Sequence, residues 1–491
     1  MNLAMSAHIK QIDHLAETKY NIPVETLMDN AGKSLCDAIL NDINRDEYAI
    51  FCGKGNNGGD GLKLAKYLKS NGKKVSLYLT CDINDFSPVV KSAYDEALKE
   101  EVEFKELNAP VSENAVIVDA LLGISLKDAP RGNIKDAIDK ISKLSNLKVS
   151  VDIPSGLSAD TGKVLGSAVK ADYTYTLALD KVGLNVYPGI EYTGVKKVLD
   201  IGIPDECVCE LVYKNYLTDK EMVASLIPMR NRNSHKGDFG KVGIVGGSYG
   251  MAGSVCLAAL AALRTGAGLV YVFVPDDIFN TVSIKLTEAI VVKESELSSY
   301  LPKLDSIAIG MGYAQDIKKK HIIKMVARNF EKTVVFDAGS IGYLALNSGV
   351  LKNKKCSAIL TPHTGEFSKL INMSTEEIIS NRMFLTTKYA KEFNSVLLLK
   401  GAATLVGNWE GLLRINKTGN SGMATAGSGD VLSGIIAALL AMGMNSFDAA
   451  TVGAYIHGLS GDIASENKTE YGMIASDIIE YIPDAYKKIF S

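Results

Sequence analysis

The chain has 491 residues, of which 47% are hydrophobic and 22% charged, and its formal net charge is -3. That length exceeds what a single hydrophobic core organises, so we expect two domains. The charge excludes a strongly basic surface for nucleic acid, and no apolar stretch is long enough to span a bilayer. The seven scattered cysteines are typical of reduced thiols. We therefore expect a cytoplasmic protein that acts on small molecules, without nucleic-acid or membrane partners.

The first half of the chain alternates short apolar runs with longer amphipathic stretches. Near-continuous apolar runs are typical of strands buried on both faces of a parallel sheet. The amphipathic stretches at 58–71 and 87–100 predict helices between such strands. The pattern predicts an α/β domain with a Rossmann-like, doubly wound sheet. The runs are YAIFCG, KVSLYLT, AVIVDA, KVSVDI and YTYTLA.

A glycine-rich loop, FCGKGNNGGDGL at 51–62, follows the first of these strands and opens a helix. Its spacing excludes a P-loop. Glycines let backbone amides approach a ligand, and helix N-termini favour anions. A plain strand–helix turn is the alternative, but it does not need the polar residues Asn56, Asn57 and Asp60. The loop therefore favours a ligand site.

Two further strands end in aspartates. VIVDALLG places Asp119 at one strand end, and SVDIPSG places Asp152 and Ser155 at another. Each aspartate alone is equally well explained as a helix N-cap. Because the carboxyl ends of parallel strands meet in one crevice, the set favours a binding site, and its hard oxygen atoms suit a cation. Lys181 follows on a loop, where a solvated surface lysine is the alternative.

These motifs together resemble the NAD(P)H-hydrate epimerase domain over about residues 5–215. The resemblance implies that Asp152 is the acid/base residue and that potassium is bound by Asn57, Asp119 and Ser155. It also implies contacts to the hydrated nicotinamide nucleotide from the loop that starts at Gly123 and from Asn56, Asn57, Gly58, Gly59 and Asp60.

The pattern changes around 203–222, where a new strand–glycine–helix series begins. We place the domains at 1–217 and 222–491 and predict a second α/β layer sandwich. In this half, GIVGGSYGMAG at 243–253 follows a strand and precedes a helix predicted over 252–265. It does not keep dinucleotide-binding spacing, so a small-residue turn explains it equally well. The apolar runs are KVGIVGG, LVYVFV, SIAIG, TVVFD, SAILT and VLLLK.

The segment TAGSGDVLSGIIAALLAMG gives the strongest signal of the second half. Gly427 and Gly429 precede a long apolar helix whose free amides form an anion-binding site with Asp430 at its edge. A carboxylate there is placed to take the proton of a substrate hydroxyl that attacks phosphorus. An N-capping aspartate is the alternative, but Ser428 is also able to cap.

Three other motifs that follow predicted strands indicate a ligand site less strongly. Lys400 with Gly401, Ala402, Ala403 and Thr404 suits a nucleotide phosphate, although a hairpin with a surface lysine fits as well. GMG at 310–312 is a candidate turn. LTPHTGEF places His363 on a loop at a sheet edge, where a surface histidine is the alternative, and Glu366 receives no role.

In this order the motifs resemble the ADP-dependent NAD(P)H-hydrate dehydratase domain over about 222–488, which implies a ribokinase-like fold. The resemblance implies that Asp430 is catalytic and that magnesium accompanies ADP. It places Gly253, Gly312 and His363 at the hydrated nucleotide, and Gly429 and Lys400 to Thr404 (Lys400, Gly401, Ala402, Ala403, Thr404) at the adenine nucleotide. The family and the apolar helices suggest a homo-oligomer.

The two resemblances together predict a bifunctional repair enzyme for hydrated NADH and NADPH. The main alternative is a kinase of a vitamin-type alcohol on the same ribokinase-like scaffold, which the GNNGGDG loop of the first half disfavours. A non-enzymatic alternative makes the first half a nucleotide-sensing or partner-binding module.

Overall fold

The computed structural model describes residues 1–313 and 317–491, and the chain forms two compact units. One unit comprises Asn2–Asn215, and the other comprises Met1 with Tyr216–Ser491. Each unit is an α/β domain built on a largely parallel sheet, as the alternating apolar and amphipathic segments predict.

The first unit contains a seven-stranded sheet and seven α-helices. Its strands are β1 (Glu47–Cys52), β2 (Lys74–Leu79), β3 (Glu103–Lys105), β4 (Val116–Ala120), β5 (Lys148–Val151), β6 (Tyr173–Leu177) and β7 (Val195–Leu199). Its helices are α1 (Ser6–Thr18), α2 (Val24–Asp42), α3 (Asn56–Ser70), α4 (Pro88–Lys99), α5 (Gly132–Lys143), α6 (Ile190–Thr193) and α7 (Asp205–Cys209).

All paired strands of this sheet are parallel, in the order β3-β2-β1-β4-β5-β6-β7. The order reverses between β1 and β4, and a doubly wound sheet binds its ligand outside the strand ends at such a point. The five apolar runs correspond to β1, β2, β4, β5 and β6. The sequence did not predict β3 and β7, because these edge strands are charged and largely solvent-accessible.

The second unit contains a ten-stranded sheet in the order β11-β10-β9-β12-β13-β14-β15-β16-β17-β8. Its strands are β8 (Asn215–Leu217), β9 (Lys241–Val245), β10 (Leu269–Val274), β11 (Ile290–Lys293), β12 (Ser306–Ile309), β13 (Thr333–Phe336), β14 (Ser357–Leu360), β15 (Val396–Leu399), β16 (Thr404–Gly407) and β17 (Leu413–Asn416). Its helices are α8 (Lys220–Leu226), α9 (Ala252–Thr265), α10 (Phe279–Lys285), α11 (Leu297–Tyr300), α12 (Ile317–Asn329), α13 (Gly339–Leu346), α14 (Gly349–Lys352), α15 (Thr364–Ile371), α16 (Thr375–Ser380), α17 (Arg382–Glu392), α18 (Ser428–Ala441), α19 (Ser446–Gly472), α20 (Ala475–Glu480) and α21 (Ile482–Phe490).

The helix α18 lies at the centre of the core of the second unit. Every residue from Val431 to Ala441 is buried, and α18 packs closely on α9. A side chain at Gly434 would meet the Ala258 carbonyl oxygen at 2.1 Å, so glycine is required at this crossing. The close packing of α18 on α9 fixes where the N-terminus of α18 lies at the edge of the sheet.

Among the described residues no helix is both long and apolar enough to cross a bilayer.

Candidate active sites

A cleft of about 1220 Å³ opens at the carboxyl ends of the strands of the first unit. The loops after β1, β4, β5 and β6 line it, together with one face of α1 and of α2. Of the residues predicted for this domain, Asn56, Asn57, Asp60, Gly123 and Asp152 line the cleft. The switch point of the sheet therefore brings these five residues into one cavity, whereas Asp119 and Ser155 are buried and do not line it.

Tight packing explains most of the glycines at the start of α3. A side chain at Gly58 would lie 1.9 Å from the Gly53 carbonyl oxygen, and one at Gly59 would lie 2.5 Å from the Met28 methyl carbon. Both residues are buried. The Gly59 amide donates to the Gly55 carbonyl at 3.1 Å, so a ligand is able to contact these two glycines only through backbone atoms that have no other partner. By contrast, the cleft residue Gly55 has open space around its Cα.

We expect Gly58→Ala to lower the free energy of unfolding of the first unit by about 1–3 kcal/mol, because the new methyl group overlaps fixed backbone. Gly55→Ala is the matched control: its φ of -89° is ordinary and its Cβ meets nothing within 4 Å. Denaturant unfolding of both variants measures the difference. Equal stability of the two variants would contradict the packing argument.

Asn57, Asp119 and Ser155 belong to one buried network. The Ser155 hydroxyl donates to Asp119 Oδ1 at 2.6 Å and accepts from the Leu122 amide at 2.9 Å. The Asn57 amide nitrogen donates to the Leu122 carbonyl at 3.0 Å, which leaves Asn57 Oδ1 buried without a hydrogen-bond partner. A buried oxygen without a donor suits a cation, and the surrounding groups are the hard oxygen ligands that potassium requires. The predicted residues thus fit a potassium ion.

Asp152 is paired with Lys181 at the floor of the cleft. Asp152 follows β5 with a φ of +64°, and its Oδ1 accepts from the Lys181 ammonium and from the Leu177 amide. The ammonium also donates to Leu177 O at 2.6 Å and to Thr176 Oγ1 at 2.9 Å. Lys181 is fully buried, so it is not the surface lysine that the loop position allowed. The pair holds Asp152 in one orientation.

The sequence reasoning missed Asp13, a half-buried residue of α1 that lines the same cleft. Burial and the nearby Asp152 carboxylate raise the pKa of Asp13 to about 6, although Lys181 opposes the shift. Burial, Asp152 and Asp13 likewise raise the pKa of Asp60 well above its usual range. A helix-surface aspartate carries no sequence motif, so only the tertiary fold identifies Asp13.

In the second unit, the loop 246–251 after β9 packs on the GMG turn after β12. The Gly247 amide donates to Met311 O at 2.8 Å, and the Ser248 hydroxyl donates to Gly312 O at 2.8 Å. A Cβ on Gly312 would meet Met251 O at 2.7 Å, whereas one on Gly253 meets nothing within 4 Å. Gly253 is therefore exposed at the start of α9, while Gly312 supports the adjoining loop.

Asp430 lies in the first turn of α18, beside a buried ion pair. Lys400 Nζ lies 2.8 Å from Asp337 Oδ1, and Ser433 donates to the other oxygen of Asp337 at 2.8 Å. Burial and the Asp337 carboxylate raise the pKa of Asp430 to about 6, against the effects of the Ser254 hydroxyl and Lys400. Because Lys400 is engaged with Asp337, Asp430 has no ion-pair partner of its own among the described residues.

Gly429 lies over this ion pair. Its Cβ position is 3.3 Å from Lys400 Nζ and 3.7 Å from Asp337 Oδ2. Burial works to lower the pKa of Lys400, but the surrounding carboxylates, led by Asp337, outweigh burial and raise it. The ammonium therefore stays charged next to the start of α18, where an anionic ligand is favoured.

His363 is the N-cap of α15. Its Nδ1 accepts from the Gly365 amide at 3.0 Å, and the Glu366 carboxylate accepts from the His363 amide at 2.9 Å. This reciprocal arrangement is a capping box, which orders the loop. The His363 side chain is 60% exposed, and its Nε2 lies 3.6 Å from the Glu366 carboxylate. Glu366, which had no predicted role, thus fixes the loop and lies 3.9 Å from Lys400.

The turn 400–404 joins β15 to β16. Gly401 has a φ of +147° and Ala403 a φ of +52°, so the backbone is tightly curved. Gly401 and Ala402 are exposed, Thr404 is half-buried and Ala403 is buried. Arg382 stabilises the turn by donating a hydrogen bond to the Ala402 carbonyl at 2.9 Å.

His457 supports the start of α18 from the neighbouring helix α19. Burial lowers the pKa of His457 to about 4, so the ring is neutral at pH 7. Its Nε2 donates to the Ser428 carbonyl at 2.9 Å and lies 3.2 Å from the Ser428 hydroxyl. Ser428 is therefore engaged with His457. The sequence reasoning missed both His457 and Asp337, which lie far from Asp430 along the chain.

These features define a two-domain α/β protein with a carboxylate-centred site in each domain, the second at a helix N-terminus suited to phosphate. Residues 24–183 match the family described as YjeF-related protein N-terminus, and residues 242–484 match the family NAD(P)H-hydrate dehydratase. A protein of Moorella thermoacetica, named bifunctional NAD(P)H-hydrate repair enzyme Nnr, is 37% identical over 98% of this chain and 96% of its own length. The chain belongs to this family of bifunctional NAD(P)H-hydrate repair enzymes.

Solved structures resemble the second unit. The ADP/ATP-dependent NAD(P)H-hydrate dehydratase of Bacillus subtilis, co-crystallised with ATP and Mg²⁺, is 25% identical. It covers 56% of this chain and 98% of its own, with a TM-score of 0.51. A ribokinase-like superfamily protein of Enterococcus faecalis is 26% identical, covers 57% of this chain and 99% of its own, and also has a TM-score of 0.51. The second unit therefore has the ribokinase-like fold.

Proposed function

We propose that the protein epimerises the R and S forms of hydrated NADH and NADPH and dehydrates the S form at the expense of ADP. The first activity is that of an isomerase, and the second is that of a lyase. The observation that carries the proposal is the similarity to bifunctional repair enzymes along nearly the whole chain, across both domains. The working boundaries remain 1–217 for the epimerase domain and 222–491 for the dehydratase domain.

In the first domain, we assign the proton transfer to Asp152. Its second carboxylate oxygen points to the loop at Gly123, where the Cβ position is 3.8 Å from Asp152 Oδ2. Asp152 is ion-paired with Lys181, and a carboxylate at this position is able to take a proton from the hydroxyl on the hydrated carbon. Asn56, Asn57, Asp60 and the backbone of Gly58 and Gly59 bind the nucleotide in the surrounding cleft.

Asn57, Asp119 and Ser155 would hold the potassium ion. When bound, the ion supplies a fixed positive charge that favours an anionic substrate nearby. The Asn57 side chain has two roles. Its amide nitrogen fixes the loop through the Leu122 carbonyl, and its oxygen remains available to the potassium ion.

In the second domain, we assign the base to Asp430. It takes the proton of the hydroxyl while the oxygen attacks the terminal phosphorus of ADP and AMP leaves. The phosphate then departs with the carbon–oxygen electron pair, and loss of a proton from the adjacent carbon restores the reduced ring. The amide of Gly429 and the charged Lys400 stabilise the phosphates. Gly253, Gly312 and His363 contact the hydrated nucleotide, and the turn Gly401–Thr404 contacts the adenine nucleotide.

The Bacillus subtilis protein, which was co-crystallised with ATP and Mg²⁺, supports use of a nucleotide with magnesium by this domain. Magnesium in proteins is commonly held by one or two carboxylates together with substrate phosphates. Magnesium would enter with the nucleotide, held by its phosphates, while Asp430 serves as the base. We further propose a cytoplasmic homo-oligomer whose ligands are small molecules.

The direct test is repair of chemically hydrated NADH, as a mixture of both epimers, by the purified protein with ADP and Mg²⁺. We expect recovery of the near-ultraviolet absorbance of the reduced ring for both epimers, because epimerisation feeds the R form into dehydration. Without ADP we expect no recovery. No recovery in the complete mixture would refute the proposal, and a phosphorylated vitamin-type alcohol found by mass spectrometry would favour the kinase.

A further inference from the structure

Helix α1 is held against the floor of the first cleft. Ala4 pairs with Lys181 in a parallel bridge, with its amide donating to Asp180 O at 2.8 Å. The Ser6 amide and hydroxyl then donate to Asp160 Oδ1 at 2.6 and 2.8 Å. These bonds fix the first turn of α1 next to the segment that carries Lys181.

Two turns further along α1, Asp13 enters the cleft. Ile9 and Asp13 are four residues apart and both line the cavity, so they share one face of the helix. In the parts of the chain that the structure describes, no hydrogen bond or ion pair engages the Asp13 carboxyl. The charged groups around it are Lys10 on the same helix, Asp60, Asp152 and Lys181.

The charged groups of the cleft favour a protonated carboxyl group, which is able to act as an acid. Lys181 is committed to Asp152. Asp13 and Asp60 are then two half-buried carboxyls without a cation of their own, and like charges disfavour ionising both. The raised pKa of Asp13, about 6, has burial as its largest cause and Asp152 as the next. Independently, the buried Asn57 Oδ1 without a hydrogen bond marks the same cleft as a ligand site.

We propose that Asp13 is a second catalytic residue of the epimerase site, the acid that works with Asp152 as base. This inference rests on the proposed function. The hydrated carbon bears both a hydroxyl and the ring nitrogen, so inverting it requires one group that takes a proton and another that gives one. Asp152 enters from a strand end and Asp13 from a helix, which allows the two groups to serve different atoms of the ring.

The step balances without a further reactant. Asp152 takes the hydroxyl proton as the carbon–nitrogen bond breaks, and the electron pair of that bond goes to nitrogen, which takes the proton of Asp13. The product is an open-chain aldehyde. After rotation about the adjacent single bond, nitrogen attacks the other face of the carbonyl and returns its proton to Asp13. The new hydroxyl then receives the proton from Asp152, so both residues end as they began.

The test uses the full-length protein and the R form of hydrated NADH, separated by chromatography, with the rate in buffer subtracted. We expect Asp13→Asn to lower kcat/KM for epimerisation by about 10²–10⁴-fold. Asp13→Glu keeps a carboxyl and should recover part of that loss. In the wild type, kcat/KM should fall as pH rises through about 6, because Asp13 must carry its proton, and this fall should be absent in Asp13→Asn.

Glu17→Gln is the matched control, since it removes an exposed carboxylate one turn along the same helix. Denaturant unfolding of the first unit in each variant reports whether the domain that carries Asp13 has folded. Epimerisation by Asp13→Asn equal to that by Glu17→Gln, or an unchanged pH profile, would overturn the assignment of Asp13. A wild type that epimerises no faster than buffer would instead refute the proposed function of this domain.

Discussion

Replacing Asp430 by asparagine should lower dehydration of the S form by about 10²–10⁴-fold, the usual contribution of a general base. Asparagine keeps the size of the side chain but takes no proton. The ion pair between Lys400 and Asp337 does not involve Asp430, so the variant should still fold and bind nucleotide. Epimerisation should be unchanged, because it is assigned to the other domain. ADP-dependent recovery of the reduced ring from the pure S form measures the effect.

The pH profile separates a base from a residue that only binds. Burial and Asp337 raise the pKa of Asp430 to about 6, and a base works in its ionised form. The wild-type rate at low substrate should therefore rise with pH through about 6, and the rise should be absent in Asp430→Asn. Asp484→Asn, on the partly exposed helix α21, serves as the control. Full activity of Asp430→Asn would show that another group takes the proton.

The strand ends explain why much of the first cleft was predictable from sequence. Apolar runs identify buried parallel strands, and the residue after each run must lie at the sheet edge where ligands bind. Asp119, Asp152 and Ser155 follow from that rule. The rule says nothing about helix surfaces, so Asp13 on α1 was not predicted. The burial of Lys181 also depends on a tertiary contact, the bridge to Ala4, that has no local signal.

In the second domain, the limit of sequence reasoning is the pairing of distant residues. The start of α18 was predicted from its glycines and the apolar helix after them. Asp337 lies at the end of β13, and nothing in its local sequence indicates that Lys400 is its partner. The capping box of Glu366 with His363 has a recognisable spacing, but the role of the pair became clear only from the geometry. Ion pairs between residues that are distant along the chain can be identified only once the fold is known.

The second large effect is expected for Asp152→Asn, which should lower epimerisation by about 10²–10⁴-fold while dehydration of the S form continues. Asparagine accepts the left-handed backbone of this position, where φ is +64°, so the main chain should be kept. The variant removes the base and also leaves the fully buried Lys181 without its anion. Loss of activity alone would therefore not distinguish catalysis from a damaged site.

A double-mutant cycle with Lys181→Met makes that distinction. Removing one partner of a buried ion pair costs about 3–5 kcal/mol, because an unpaired charge is left in the interior. Each single variant should lower the free energy of unfolding of the first domain by that order, and the double variant should be destabilised by much less than the sum. Epimerisation should behave differently: restoring charge balance in the double variant does not restore a base, so activity should stay low. If the double variant recovered epimerisation together with stability, Asp152 would serve only to neutralise Lys181, and the base would have to be sought among the other carboxyls of the cleft.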